Sequence, residues 1–160
     1  MASATALPHT AEIATTTVDE FSAARELARI DWLTLDAEGW DGMILRGAER
    51  MLSERRVSVL EFEFSPRAWA LALRVSEAEA TAQLSDVLGM VQRRGYRCFW
   101  QGGRVMRPPA SAGAAPPPLL AEVGQLAGCV AIGRVGNVVC AHAAPVVEKL
   151  QGLAGGRSRV

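Results

Sequence analysis

The residues best suited to chemistry in this chain are four carboxylates at the ends of two predicted strands. Asp36 and Glu38 come directly after an apolar stretch in "LTLDAEGWD", and Glu61 and Glu63 belong to "VSVLEFEFS". Side chains alternate along a strand, so the two glutamates share one face and the phenylalanines beside them share the other. Carboxylates placed in this way can orient a hydroxyl, accept its proton or hold a cation.

The surrounding elements predict how these acids are positioned. A helix beginning near Asp19 precedes a strand at residues 31–35, and the helical stripe of "GMILRGAERMLSE" leads to a second strand at 57–64. Ser76 opens a capping box before another helix, and a third strand follows at 96–100. This alternation predicts an α/β fold with an open, mostly parallel sheet and right-handed crossovers.

If strands 31–35 and 57–64 are parallel neighbours, the four acids gather at the carboxyl ends of the strands, where open α/β sheets bind ligands. Two interpretations remain open. In the first, Asp36 or Glu38 caps the helix that begins near Gly42, and the glutamates pair with arginines such as Arg46 or Arg67. In the second, the acids hold a ligand that carries hydroxyls, a positive charge or a metal.

The rest of the chain divides by composition. Residues 1–16 are rich in alanine and threonine and predict a disordered leader, and residues 17–160 form one domain. A Pro/Gly/Ala-rich loop is predicted at about 102–118. The segment "LLAEVGQLAGC" is ambiguous, "GNVVCAH" predicts a last strand, and "APVVEKLQGL" predicts a terminal helix.

Composition narrows the possible partners and the location. The chain has 17 basic and 17 acidic side chains without a basic cluster, which argues against a nucleic-acid partner. No apolar run is long enough to span a membrane, and the amino terminus does not have the pattern of a secretory signal. Cys98, Cys129 and Cys140 are odd in number and widely spaced, so we expect structural thiols in a reducing, cytoplasmic compartment.

At "TTTVDEF" and "IDWLTLDAEGWDGMILRGAERMLSERRVSVLEFEFS" the chain resembles the FkbM-type methyltransferases. In that family a "TLDxF" segment leads to a strand ending in "KIDVEG", then to "VLRGA" and a strand ending in "FE". The resemblance covers Thr15 to Phe64 well and continues loosely through "LGMVQRRGYRCF" and "GNVVCA". The chain departs from the pattern at Thr34, where lysine is usual, and at Trp40, where an acid or a small residue is common.

The resemblance implies a Rossmann-like methyltransferase that uses S-adenosylmethionine, often to methylate an oxygen of a small-molecule or sugar-like acceptor. Asp36, Glu38 and Gly39 match the D-x-E-G positions. By analogy, Asp36, Glu38 and Glu61 would orient the acceptor hydroxyl or take its proton. Asp36 and Gly39 would contact the cofactor, and Trp40 and Glu63 would contact the acceptor.

One departure from the family is larger. The glycine-rich loop and the ribose-binding acid of such enzymes precede the matched region, and no Gly-x-Gly follows a strand here. The sequence therefore predicts the carboxyl-terminal half of a methyltransferase sheet, with an unpaired edge prone to self-association.

Two other functions are compatible with parts of the sequence. One alternative is a non-catalytic or degenerate binding domain. A magnesium- and phosphate-binding receiver-like domain is disfavoured, because Lys149 lies in the predicted terminal helix and not on a late strand. His142 could act as a base, although a lone histidine beside alanines more often has a structural role.

Overall fold

The computed structural model describes residues 12–102, 121–122 and 136–154. Most of the predicted leader and nearly all of the predicted loop at 102–118 lie outside these residues. In chain order the elements are α1 (Val18–Ala24), β1 (Ile30–Leu35), α2 (Asp41–Arg46), α3 (Glu49–Ser53), β2 (Val57–Phe64), α4 (Pro66–Leu73), α5 (Glu77–Arg93), β3 (Arg97–Gly102), β4 (Ala121–Glu122), β5 (Gly136–Ala141) and α6 (Ala144–Ala154).

The strands form one sheet in the order β1-β2-β5-β3-β4. β1 and β2 are parallel neighbours, as the sequence predicts, and their register places Thr34 opposite Glu61 and Leu35 opposite Phe62. The prediction of a mostly parallel sheet is wrong. β5 lies antiparallel between β2 and β3, and β4 is antiparallel to β3, so the sheet is mixed. Periodicity could not reveal this, because it reports which faces of a strand are buried and not the direction in which the strand runs.

One face of the sheet carries the main core. Helices α2 to α5 supply apolar side chains that pack with inward-facing residues of β2, including Leu60, Phe62 and Phe64. On the other face, Val147 of α6 packs on Phe99 and Ala141. Trp32 of β1 is 60% exposed, so α6 does not cover this strand.

The helix predictions need two corrections. The stripe in "GMILRGAERMLSE" does not form one helix but two short ones, α2 and α3, interrupted at Gly47 and Ala48. Gly47 does approach a neighbour closely, but that neighbour is Thr17, 3.2 Å from a Cβ built on the glycine. The helix predicted to begin near Asp19 is short, because α1 ends at Ala24, and Phe21 within it is 47% exposed.

The sequence did not predict α4, although it carries the signals of a helix start. Ser65 is the N-cap, its hydroxyl accepts a hydrogen bond from the Ala68 amide, and Pro66 occupies the first turn. The capping box of Ser76 and Glu79 at the start of α5 is confirmed. No helix in the described ranges is long and apolar enough to cross a membrane.

The expectation of free thiols at Cys98 and Cys140 is wrong, because these residues form a disulfide between β3 and β5. They are direct partners in the antiparallel register, with their Cα atoms 4.0 Å apart. The pairing depends on β5 lying beside β3, which the 42-residue separation in the sequence did not indicate. Cys129 lies outside the described residues.

Candidate functional site

The parallel register of β1 and β2 brings predicted site residues together at the carboxyl ends of these two strands. Leu35, the last residue of β1, pairs with Phe62, so Asp36 and Glu63 are the next positions on the two strands. Glu61 and Glu63 lie on the face opposite Phe62, as the alternation predicts. The acids therefore converge at the carboxyl ends of two adjacent parallel strands.

A tight turn carries the chain from β1 into α2. Glu38 and Gly39 both have positive φ, at 50° and 101°, and the Trp40 amide donates to the Ala37 carbonyl. A Cβ built on Gly39 would lie 2.4 Å from the Ala68 carbonyl oxygen at the start of α4. The glycine of the "DAEG" segment is thus required by close backbone packing as well as by its conformation.

Asp41, the first residue of α2, is the most unusual acid of the site. Its side chain is fully buried, and neither carboxyl oxygen has a hydrogen-bond partner in the described part of the chain. An ionised carboxylate buried in this way costs several kcal/mol unless another charge compensates it. Sequence reasoning missed Asp41, although it closes the same "DAEGWD" segment.

The electrostatic surroundings of Glu63 show that the acids act on one another. Burial raises the pKa of Glu63 above its ordinary value, and the charges of Asp36, Asp41 and Glu38 raise it further. Within the described ranges, the ion pairs join other residues and reach none of these four. We call Asp36, Glu38, Asp41 and Glu63 the acidic group.

The first interpretation of the sequence, capping and local ion pairing, is wrong for these residues. Trp40 is the N-cap of α2, and no side chain caps the helix there. Neither Arg46 nor Arg67 forms an ion pair with a glutamate of β2 in the described structure. Within the described ranges, these acids therefore lack the caps and ion pairs that the first interpretation requires.

Glu61 is held differently from Glu63. Its Oε1 accepts a hydrogen bond of 3.1 Å from Nδ2 of Asn137 on β5, and its side chain is half-buried. The contact fixes the orientation of the Glu61 carboxyl group. Glu61 therefore has a fixed orientation on the face of β2 that it shares with Glu63.

Trp40 lies near the carboxyl ends of β1 and β2, whereas His142 lies near the amino end of β2. Trp40 lies in the turn next to Asp41 and is 51% exposed, so its indole is available to a ligand. His142 follows Ala141, which pairs with Val59 towards the amino end of β2. The histidine packs edge-on against the Tyr96 ring at 5.1 Å, which supports the structural reading over a role as base.

The chain matches the family model described as Methyltransferase FkbM domain over residues 3–98, more than half of its length. It belongs to the FkbM methyltransferase family. The FkbM match includes β1, β2 and every member of the acidic group, whereas β5 lies beyond it. No curated protein and no solved structure matches the chain.

Proposed function

We propose that this chain carries the acceptor side of a FkbM-type methyltransferase that uses S-adenosylmethionine to methylate a hydroxyl of a small-molecule or sugar-like acceptor. The observation that supports this most directly is the acidic group at the carboxyl ends of β1 and β2, inside the family-matched segment. Methyl transfer to oxygen needs an aligned acceptor and a destination for its proton, and carboxylates can provide both.

We assign the following roles as part of the proposal. Asp36, Glu38 and Glu61 orient the acceptor hydroxyl or take its proton, and the bond from Asn137 to Glu61 suits an orienting role. Glu63 contacts the acceptor, and its raised pKa brings it closer to the range in which a general base works well. The half-exposed Trp40 covers the acceptor.

The residues of the described structure do not fit the whole cofactor. No Gly-x-Gly sequence follows a strand, and the space beside Gly39, proposed with Asp36 to contact the cofactor, is filled by the Ala68 carbonyl. We propose that this chain, tested alone, binds S-adenosylmethionine with a dissociation constant no better than about 1 mM, equivalent to about −4 kcal/mol.

Calorimetry on the purified chain tests this proposal. We expect no measurable heat at micromolar S-adenosylmethionine, and we expect binding and methyl transfer to a hydroxyl to appear when a segment carrying the glycine-rich loop is added. Micromolar binding by the chain alone would show that these residues contain a complete cofactor site. Failure of both binding and transfer after addition would favour a non-catalytic role.

A non-catalytic binding domain is the second candidate, and the edge of the sheet favours it. β1 pairs only with β2 in the described structure, so its other side is open to another strand. We propose that this edge allows self-association, which sedimentation in an analytical ultracentrifuge would detect.

The predicted cytoplasmic location stays a prediction, and the disulfide argues against it because stable disulfides are rare in that compartment.

A further inference from the structure

We propose that the acidic group recognises a positively charged nitrogen, so that the acceptor is an ammonium-bearing hydroxyl compound such as an amino sugar or an amino alcohol. That the bound compound is the methyl acceptor rests on the proposed function. The recognition of an organic cation rests on Asp41, Glu63 and their neighbours alone.

The first supporting observation is Asp41. Its carboxylate is fully buried, both oxygens lack a partner in the described structure, and its charge acts on Glu63. Buried polar groups in folded proteins nearly always have partners, so an exception of this kind requires an explanation. A cation bound at Glu63 would lie within the field of Asp41 and would supply the missing compensation.

The second observation is the balance of charge around Glu63. Every influence resolved on its carboxyl raises the pKa, and no base among the described residues lowers it. Asp36 and Glu38 are exposed and Glu63 is partly accessible, so a ligand can reach these carboxyl groups, whereas Asp41 is buried. The local charge therefore favours a cationic ligand over a neutral or anionic one.

The third observation separates an organic cation from a metal ion. No group of three potential metal-binding side chains is close enough to hold an ion among the described residues. Trp40 instead places a half-exposed indole next to Asp41, and indole rings attract ammonium groups through cation–π contact. An indole that is exposed in the same turn as Glu38 and Asp41 suits an ammonium group better than a bare divalent ion.

A titration followed by NMR of the tryptophan indole N–H signals tests the proposal on the chain as it exists. The probes are glucosamine at pH 6.5, with glucose and N-acetylglucosamine as neutral compounds of the same ring. The Trp40 signal is identified from its loss in Trp40→Phe. We expect glucosamine to shift it saturably and to bind at least about tenfold more tightly than either neutral sugar, since a charge-assisted contact is lost in both.

Two variants test whether glucosamine binds at the acidic group. Glu63→Gln and Asp41→Asn should each weaken glucosamine binding about tenfold, whereas Glu148→Gln, an exposed acid on α6, should leave it unchanged. Thermal unfolding should show that both site variants are folded. Asp41→Asn keeps the shape of a buried side chain that has no hydrogen-bond partner to lose in the described structure, so the variant should remain folded.

Equal binding of the three sugars would overturn the proposal, as would glucosamine binding that survives both site variants. Saturation by Mg²⁺ at lower concentration than glucosamine would also overturn it and would identify a metal site. These outcomes are independent of S-adenosylmethionine. Intact glucosamine binding, with no methyl transfer after the segment carrying the glycine-rich loop is added, would therefore reject the proposed function and keep the cation site.

Discussion

Replacing Gly39 with alanine should destabilise the protein by about 3 kcal/mol. At φ 101° an alanine is strained, which costs about 1–3 kcal/mol. The added Cβ would also lie 2.4 Å from the Ala68 carbonyl oxygen and 2.9 Å from the Trp69 amide nitrogen, which are backbone atoms at the start of α4. Because neither atom belongs to a flexible side chain, the turn or the helix must move, and we expect the total near the upper end of that range.

Thermal and urea unfolding of Gly39→Ala measure this cost. A loss of about 3 kcal/mol corresponds to a melting temperature lower by about 6–12 °C for a chain of this size. Gly152→Ala is the matched control, since a Cβ there meets no atom within 4 Å and the residue lies in α6. It should stabilise the protein by about 0.5–1 kcal/mol. A Gly39→Ala variant within about 0.5 kcal/mol of the original chain would show that the turn does not pack on α4 as described.

Three further predictions concern the Glu63 carboxyl group, the Tyr96 hydroxyl group and the Cys98–Cys140 disulfide. Glu63→Gln should be more stable than the original chain at pH 7 by about 0.2–1 kcal/mol. The pKa of Glu63 is raised in the folded protein, so the original chain loses stability as the pH rises from the pKa of the unfolded state through that of the folded state. The difference should vanish at pH 3, where Glu63 is protonated in both the folded and the unfolded protein. Tyr96→Phe should cost about 1–2 kcal/mol at pH 7, because the hydroxyl donates to the Val57 carbonyl at 2.6 Å. Burial raises the pKa of Tyr96 from 10 to about 12, so the original chain should lose stability between these pH values and the phenylalanine variant should lose less. Reduction of the Cys98–Cys140 disulfide should lower the free energy of unfolding by at most about 4 kcal/mol, from the loop-closure entropy of a 42-residue separation, and the unreduced, denatured protein should show one reactive thiol and not three.

Local patterns were sufficient to predict the part of the fold that carries the candidate site. The alternation in β2 correctly separated Glu61 and Glu63 from the buried phenylalanines. The strand–helix–strand order correctly predicted that β1 and β2 are parallel neighbours. Both features depend on short stretches and on one right-handed crossover, which leave few alternatives.

Long-range pairing explains most of what the sequence did not predict. The antiparallel insertion of β5 joins residues that are distant in the chain, and the disulfide depends on that insertion. Asp41 was missed for another reason. A sequence shows that an aspartate begins a helix, but only the packing of the turn against α4 shows that this one is buried without a partner.

The acidic group and the disulfide belong to different layers of the protein. Cys140 pairs with Leu60, so the disulfide lies on the face covered by α2 to α5, whereas Glu61 points to the opposite face. The acidic group is placed by β1, β2 and the turn that packs on α4, and none of these elements contains a cysteine. A change in the oxidation state of the cysteines therefore acts first on the β3–β5 pairing, while the register that brings Asp36 beside Glu63 is set by a separate strand pair.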